Sequence, residues 1–361
     1  MPLLGTRGAA SAKGFGFTNP SGSTFTGLAE NFAVCWMSGS TSNSSTFTKL
    51  ISETGTLIRN NYNSSYTSSY IDNANVFGGF DTAFSTSYPI ARTFITTVSS
   101  GTDTAGYYFL QANGCTSAAI SSSNAFITAT GSIFTTTNTG TTFTNYNLNT
   151  LTGLTVQAGI SAITKTGVAY LLLLTGASSP YSIKVYSTTN GSTFTLVGTF
   201  PTTNNYNWFN DYASFYNYDT GEFFTSFQTY TPYYKFNLNT LSLSEQSSTN
   251  AKIGMCYYNG FYYGISGRSI QRSADLNTWT TIYTYSSPYL PRSTFPLKNR
   301  VGIAGIDSNT EDYFFVDTWN PVSSSMANAF YSYTPAGYAR YGWVYPIFPK
   351  DNFSIKKVPF A

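Results

Sequence analysis

The sequence contains no histidine, and only 9% of its 361 residues are charged. The lack of histidine excludes Ser-His-Asp and Cys-His catalytic groups and every histidine-ligated metal site. The 18 basic and 15 acidic residues are scattered and leave a net charge of only +3, so no basic patch typical of nucleic-acid binding stands out. Cys35, Cys115 and Cys256 lack metal-ligand spacing and are expected to be buried thiols. We therefore expect no cofactor, no metal and no nucleic-acid partner.

Long hydrophobic runs are missing as well. The longest covers residues 168–174, which is too short to span a bilayer and has the right length for a buried strand. The first residues lack the positively charged start and apolar stretch of a secretory signal. We expect neither membrane insertion nor a cleaved signal.

Aromatic and small polar residues dominate what is present. The chain has 30 tyrosines, 29 phenylalanines and 30 glycines. Aromatic and β-branched side chains favour strands, and glycine, asparagine and serine favour turns. The sequence therefore predicts an all-β protein in which helix is nearly absent.

Three segments share a turn-like pattern of a hydroxyl residue, a short polar residue, a glycine in two of the three, and an aromatic residue. They are residues 136–143, 187–194 and 273–279, with weaker copies at 40–47 and 237–241. The aligned positions are Asn138, Gly140 and Phe143; Thr189, Gly191 and Phe194; and Asp275 and Trp279. The polar residue is expected to cap the turn, the glycine to take a positive φ angle, and the ring to pack against a neighbouring sheet.

These segments resemble the Asp-box of sialidase-like proteins, Ser-x-Asp-x-Gly-x-Thr-Trp. The resemblance implies a β-propeller, in which the box is a structural hairpin between the third and fourth strands of a blade. A spacing of roughly 40–50 residues is the period of a four-stranded blade. The sequence thus predicts six or seven blades over residues 30–330, with seven favoured, and a degenerate blade at residues 78–110.

The N-terminal residues 1–17 combine small residues with several glycines and no strand alternation. Their Gly-Thr-Arg-Gly-Ala-Ala-Ser string, followed by Gly-Phe-Gly, resembles the opening segment of tailed-bacteriophage virion proteins. The resemblance implies that residues 1–29 form an extended virion-attachment segment that binds other virion proteins. The attachment residues would be Gly5, Thr6, Arg7, Gly8, Gly14 and Phe15. A disordered low-complexity leader is the alternative.

The C-terminal residues 331–361 begin with a tyrosine-rich stretch. Such a segment either completes the first blade and closes the ring, or forms a contact surface, because tyrosine gives large rigid contact area at low entropic cost.

Catalytic motifs of the sialidase family are not recognisable. No arginine triad is recognisable. Residues 88–92 contain the residue types of the family's Phe/Tyr-Arg-Ile-Pro motif, but in a different order. The aromatic stretch at residues 206–224 is where sugar stacking is expected, with five candidate glycan contacts: Tyr206, Trp208, Asp211, Asp219 and Glu222. A glycosidase needs two carboxylates, and a pair such as Asp211 and Glu222 stays open, although such carboxylates more often cap turns.

Two functions follow. The first is a bacteriophage structural protein, a tail or head fibre or appendage on the particle surface, present as a homo-oligomer or in several copies. It would recognise host-surface glycans rather than catalyse. The alternative is a glycan-active enzyme of propeller fold, a glycoside hydrolase or lyase, which would release sugar from host polysaccharide.

Overall fold

The computed structural model describes the greater part of the chain, with gaps. The described residues are 17–18, 24–25, 30–38, 45–63, 78–84, 89–99, 102–111, 116–119, 125–129, 132–136, 144–163, 168–177, 181–202, 209–227, 233–246, 252–309, 313–333, 343–347 and 358–359. The predicted attachment residues between Gly5 and Phe15 lie outside them.

Within these residues the chain forms 30 strands and a single five-residue helix, so the expected scarcity of helix is confirmed. The first half contains β1 Phe17–Thr18, β2 Thr24–Phe25, β3 Asn31–Ser38, β4 Ser45–Ser52, β5 Leu57–Asn63, β6 Gly78–Phe84, β7 Pro89–Ser99, β8 Thr102–Gln111, β9 Thr116–Ala119, β10 Ala125–Ala129, β11 Ser132–Thr136, β12 Thr144–Asn147, helix α1 Leu148–Thr152, β13 Val156–Ile163 and β14 Ala169–Thr175.

The second half is built from strands alone. They are β15 Ser182–Thr188, β16 Thr195–Pro201, β17 Phe209–Asn217, β18 Glu222–Phe227, β19 Tyr233–Asn237, β20 Ser242–Gln246, β21 Ile253–Tyr258, β22 Phe261–Ser266, β23 Ser269–Ser273, β24 Thr280–Thr284, β25 Tyr289–Pro296, β26 Val301–Asp307, β27 Tyr313–Asn320, β28 Ser325–Tyr333, β29 Trp343–Ile347 and β30 Val358–Pro359.

The strands are organised as antiparallel sheets that follow one another along the chain. Sheet I contains β30, β29, β3, β4 and β5 in that order, and sheet II contains β6 to β8. Sheets III to VII are four-stranded meanders of β9–β12, β13–β16, β17–β20, β21–β24 and β25–β28. Strands β1 and β2 form a separate pair. In sheet I, β29 near the C-terminus pairs with β3 near the N-terminus.

Strand β14 illustrates how the sequence sets the local structure. Its run of four leucines lies in the middle of sheet IV, and all seven of its residues are buried. The prediction of a buried strand from this apolar run is confirmed. The neighbouring β15 mixes buried and half-buried residues, as expected when the two faces of a strand differ in burial.

Sheets III to VII pack face to face in order, and sheet VII packs on sheet I. Aromatic pairs join sheets III to IV, IV to V, V to VI, VI to VII and VII to I, and the pairs are Tyr146–Phe194, Tyr170–Phe236, Phe215–Tyr262, Tyr285–Phe315 and Phe295–Phe32. Their ring centroids are between 5.3 and 6.5 Å apart. The first strands β13, β17, β21 and β25 contact one another in that order. Sheets IV to VII therefore pack on one another with the first strand of each on the same side, as in a β-propeller.

The cysteine prediction is confirmed at one position. Cys256 is a buried thiol with 1% of its surface exposed. The side chains of Cys35 and Cys115 lie outside the described part of the structure.

Candidate functional site

Two of the predicted repeat turns lie between the third and fourth strands of their sheets. In the turn after β23, Oδ1 of Asp275 accepts hydrogen bonds of 2.9 and 2.8 Å from the backbone N–H groups of Asn277 and Thr278. These bonds hold the pKa of Asp275 below its usual value. The turn after β15 has the same geometry around Asn190, whose Oδ1 accepts 2.9 Å bonds from the two corresponding N–H groups.

In the structure, the turn after β15 corresponds to the turn after β23 with an offset of one residue from the alignment predicted from the sequence. The capping side chain is Asn190, where the alignment placed Thr189, and Gly191 corresponds to Leu276. Both of these residues have a positive φ, 74° and 65° respectively. The ring of Phe194 packs against Tyr146 of the preceding sheet, whereas Trp279 lies near Lys252 of its own sheet. The third predicted turn, with Asn138, Gly140 and Phe143, lies outside the described residues.

This assignment predicts different effects for two neighbouring substitutions. Asn190→Ala removes two backbone hydrogen bonds and should lower the free energy of unfolding by about 1–2 kcal/mol. Thr189→Ala changes an exposed side chain and should lie within about 0.5 kcal/mol of the parent protein. Denaturant unfolding of both variants measures the difference. A larger loss of stability for Thr189→Ala than for Asn190→Ala would mean that Thr189 caps the turn, as the sequence alignment predicted.

The sequence analysis did not predict a second kind of turn. After Asn217, Asn237 and Asn320, the asparagine side chain caps the N–H groups two and three residues later, and a residue with positive φ follows at the fourth position. The Asn237 segment was expected to resemble the turn of Asp275. Its positive φ lies at Leu241, four residues after the cap, so it belongs to this second kind.

Two of the five predicted glycan contacts, Asp219 and Glu222, have side chains within the described part of the structure. Tyr206 and Trp208 lie outside the described residues, and Asp211 lies near the start of β17 with its side chain also outside them. Asp219 and Glu222 follow the opposite end of that strand. Because Asn210 pairs with Ser226, position 210, next to Asp211, is separated from Glu222 by about 13 Å along the strand at roughly 3.3 Å per residue.

Asp219 and Glu222 instead hold neighbouring strands together. The hydroxyl of Tyr257 in sheet VI donates a hydrogen bond to Asp219. Glu222 forms a 2.9 Å ion pair with Lys235 on the adjacent strand and accepts a 2.9 Å hydrogen bond from Thr220. Both carboxylates therefore have partners within the protein.

The most distinctive surface feature lies between sheets VI and VII. Six aromatic side chains meet there and form what we call the tyrosine cluster, which consists of Tyr283, Tyr285, Tyr289, Tyr313, Phe315 and Tyr331. The alternation of β27 places Tyr313, Phe315 and Asp317 on one face of the sheet. The cross-strand register then sets Tyr331 beside Phe315.

The ring contacts form one group of four and one separate pair. Tyr283 and Tyr285 are 4.9 Å apart, Tyr285 and Phe315 are 5.3 Å apart, and Tyr289 and Phe315 are 5.6 Å apart. Tyr313 and Tyr331 are stacked at 5.4 Å with an interplanar angle of 20°. Gly305 makes room for Phe315, because a Cβ atom at position 305 would lie 2.4 Å from the ring.

The tyrosine cluster reaches the surface at both ends. Tyr331 is 46% exposed and Tyr283 is 36% exposed, and every other aromatic side chain in the described part of the chain is less exposed than these two. The centre is closed, since Tyr285 and Phe315 are buried. The cluster therefore offers exposed rings on a rigid aromatic base.

A polar network lies beneath the rings. The hydroxyl of Tyr285 donates a 2.9 Å hydrogen bond to Oδ2 of Asp317, and Nδ2 of Asn328 donates a 2.8 Å bond to Oδ1 of the same carboxylate. Burial raises the pKa of Asp317, and the two hydrogen bonds oppose that shift. Burial, followed by the charge of Asp317, raises the pKa of Tyr285.

Loops at the same end of the sheets frame the tyrosine cluster. Nη2 of Arg268 donates a 3.2 Å hydrogen bond to Oγ of Ser308, and the hydroxyl and N–H of Ser308 both donate to the carbonyl oxygen of Pro288. Partial burial raises the pKa of Tyr331, and the neighbouring tyrosines and the Asp307 carboxylate add to the shift. Within the described residues, only Tyr331 of the predicted C-terminal contact surface belongs to this cluster.

Known proteins resemble this chain in structure but not in sequence, so the similarity concerns the fold alone. No known family and no curated protein matches the sequence. The periplasmic gluconolactonase PpgL of Pseudomonas aeruginosa has a similar structure, with a TM-score of 0.52 and 11% identity over 85% of this chain and 97% of that one. A quinoprotein alcohol dehydrogenase-like protein of Bacteroides thetaiotaomicron gives a TM-score of 0.43 and 11% identity over 91% and 95% of the two chains. The chain is an all-β protein of propeller-like fold.

Among the described residues, no helix has the length and apolar character needed to cross a membrane. No group of three or more cysteine or acidic residues among them is arranged to hold a metal ion.

Proposed function

We propose that this chain is an appendage protein of a bacteriophage particle that recognises the surface of the host cell. The observation that carries the recognition role is the tyrosine cluster, a set of exposed rings held on a buried aromatic and hydrogen-bonded base. Tyrosine-rich surfaces of this kind suit recognition, because a rigid ring provides apolar contact and a hydroxyl group in one side chain.

The proposed framework is a seven-bladed propeller. Seven sheets of three to five strands in the described part of the chain support this number. The pairing of β29 with β3 supports ring closure, since it puts strands from the two ends of the chain into sheet I. Residues 331–361 would then close the ring through β29 and contribute Tyr331 to the recognition surface.

Attachment to the particle is assigned to the N-terminal residues 1–29. This part of the proposal rests on the Gly-Thr-Arg-Gly-Ala-Ala-Ser string and the following Gly-Phe-Gly. A segment rich in glycine and small residues gains its order from a binding partner, here another virion protein. Several copies per particle would raise the avidity of each weak surface contact.

Recognition is favoured over catalysis by the carboxylates of the predicted glycan region. Asp219 and Glu222 are engaged with Tyr257 and Lys235, which is a structural arrangement. Release of reducing sugar from host polysaccharide by the purified chain would favour the glycan-active enzyme instead.

Deleting residues 1–25 tests the attachment role. The shortened chain should remain soluble with nearly the same thermal stability, because the propeller begins after this segment, yet it should be lost from particles. Western blotting of purified particles against infected-cell lysate measures incorporation. A Leu57→Ala variant, altered at an exposed residue of sheet I, serves as the control and should be incorporated normally. Incorporation of the shortened chain at normal copy number would refute the attachment role.

A further inference from the structure

We propose that the tyrosine cluster is a binding site for uncharged pyranose units of a cell-surface polysaccharide. The inference rests on the proposed recognition function and adds the site, its chemistry and the class of sugar. It is carried by three observations: the stacked and exposed rings, the polar network beside them, and the local balance of charge.

The exposed rings provide the apolar part of the site. Tyr313 and Tyr331 are nearly parallel, with 20° between their planes, and Tyr331 has close to half of its surface in solvent. The C–H groups on one face of a pyranose carry a small positive charge and pack on the negative face of an aromatic ring. Tyr331 is therefore the stacking residue, and Tyr313 supports it from the protein side.

The surrounding groups provide the hydrogen bonds that a sugar requires. Asn328 is exposed and bonded to Asp317, so its amide is already oriented by the buried carboxylate. Asp307 lies beside Tyr289 in the sheet register, and one of its oxygens accepts a 2.7 Å bond from the N–H of Asn309. Each carboxylate has roughly four acceptor positions, so Asp307 retains acceptor capacity for sugar hydroxyl groups.

Local charge selects against acidic sugars. Asp307 and Asp317 are next to the rings, and in the adjoining loops the guanidinium of Arg268 donates to Ser308. A sialic or uronic acid stacked on Tyr331 would bring another carboxylate near that of Asp307. Like charges repel, and the repulsion is stronger beside a partly buried surface than in water. Neutral hexoses avoid this cost.

The experiment measures binding of the purified full-length chain to immobilised polysaccharides. The neutral probes are dextran, mannan and galactan, and the acidic probes are polysialic acid and alginate. We expect binding to at least one neutral polymer and to neither acidic one. Tyr331→Ala should weaken that binding at least tenfold, whereas Tyr331→Phe, which keeps the ring, should weaken it less than threefold. Because Tyr331 is exposed, both variants should melt close to the parent protein.

Leu196→Ala provides the matched control. Leu196 is 49% exposed on sheet IV, away from the tyrosine cluster, and its substitution should leave binding unchanged. Binding to acidic polymers alone, equal binding by Tyr331→Ala and the parent, or no binding to any probe would overturn the inference. Incorporation of the Tyr331→Ala chain into particles distinguishes the two proposals. Incorporation should be normal whether or not the tyrosine cluster binds sugar. Loss of incorporation would contradict the proposed attachment through residues 1–29.

Discussion

Gly254→Ala is expected to lower the free energy of unfolding by about 2–5 kcal/mol. Gly254 has a φ of 53°, which costs a residue with a side chain about 1–2 kcal/mol. In addition, a Cβ atom there would lie 2.4 Å from Cα of Ser293 and 2.5 Å from the carbonyl oxygen of Arg292. Both atoms belong to the backbone of β25, so the first strand of sheet VII has to move, and such overpacking costs about 1–3 kcal/mol.

Gly260→Ala separates the two causes. Gly260 has a φ of 83°, but nothing lies within 4 Å of its would-be Cβ atom. The free energy of unfolding of this variant should fall only by the cost of the positive φ angle, about 1–2 kcal/mol. Urea unfolding of both variants gives the comparison. Equal losses would mean that β21 and β25 are not in close backbone contact, which would contradict the packing of sheets VI and VII described above.

Ending the chain after Tyr333 is expected to destabilise the whole protein. The deletion removes β29, whose residues 343–347 pair with residues 31–35 of β3. Roughly five backbone hydrogen bonds at about 0.5–1.5 kcal/mol each would be lost, or roughly 3–7 kcal/mol, which is comparable with the stability of many proteins. The exposed edge of β3 should also promote aggregation.

Ending the chain after Ile347 is the control, because it retains β29 and removes β30. This shorter deletion should cost much less in thermal melting. If both truncated chains melt near the temperature of the full-length chain, β29 does not close a ring, and the seven-bladed arrangement is wrong.

The class of fold was predictable because it depends on composition and on local signals. Abundant aromatic residues, the apolar run of β14 and the repeated polar turns all indicated antiparallel strands. The details of the turns were less accessible. Because Thr189 and Asn190 are both short and polar, only the hydrogen bonds show that Asn190 is the cap.

One pentapeptide shows why local sequence was insufficient. Asn-Leu-Asn-Thr-Leu occurs at residues 147–151 and again at 237–241. Both copies begin with the same asparagine cap. The first copy continues into helix α1, which ends at Gly153 with a φ of 68°, whereas the second turns back into a strand at Leu241 with a φ of 54°. The residues that follow, and the sheets they join, decide the outcome.

The tyrosine cluster was not predicted from the sequence, for a topological reason. The sequence analysis favoured residues 206–224 because aromatic and acidic residues are adjacent there. The tyrosine cluster combines residues from the end of sheet VI with residues from three strands of sheet VII. Tyr283 and Tyr331 are far apart in sequence, and only the strand register and the packing of the two sheets bring them into one cluster.

Mass spectrometry and cryo-electron microscopy of purified particles test most directly the proposal that this chain is a bacteriophage appendage protein. We expect the chain in several copies, with ring-shaped density of seven blades at the particle surface and residues 1–29 directed toward a neighbouring virion protein. Absence of the chain from purified particles would contradict the proposed function, even if the propeller-like fold and the tyrosine cluster were confirmed in the isolated protein.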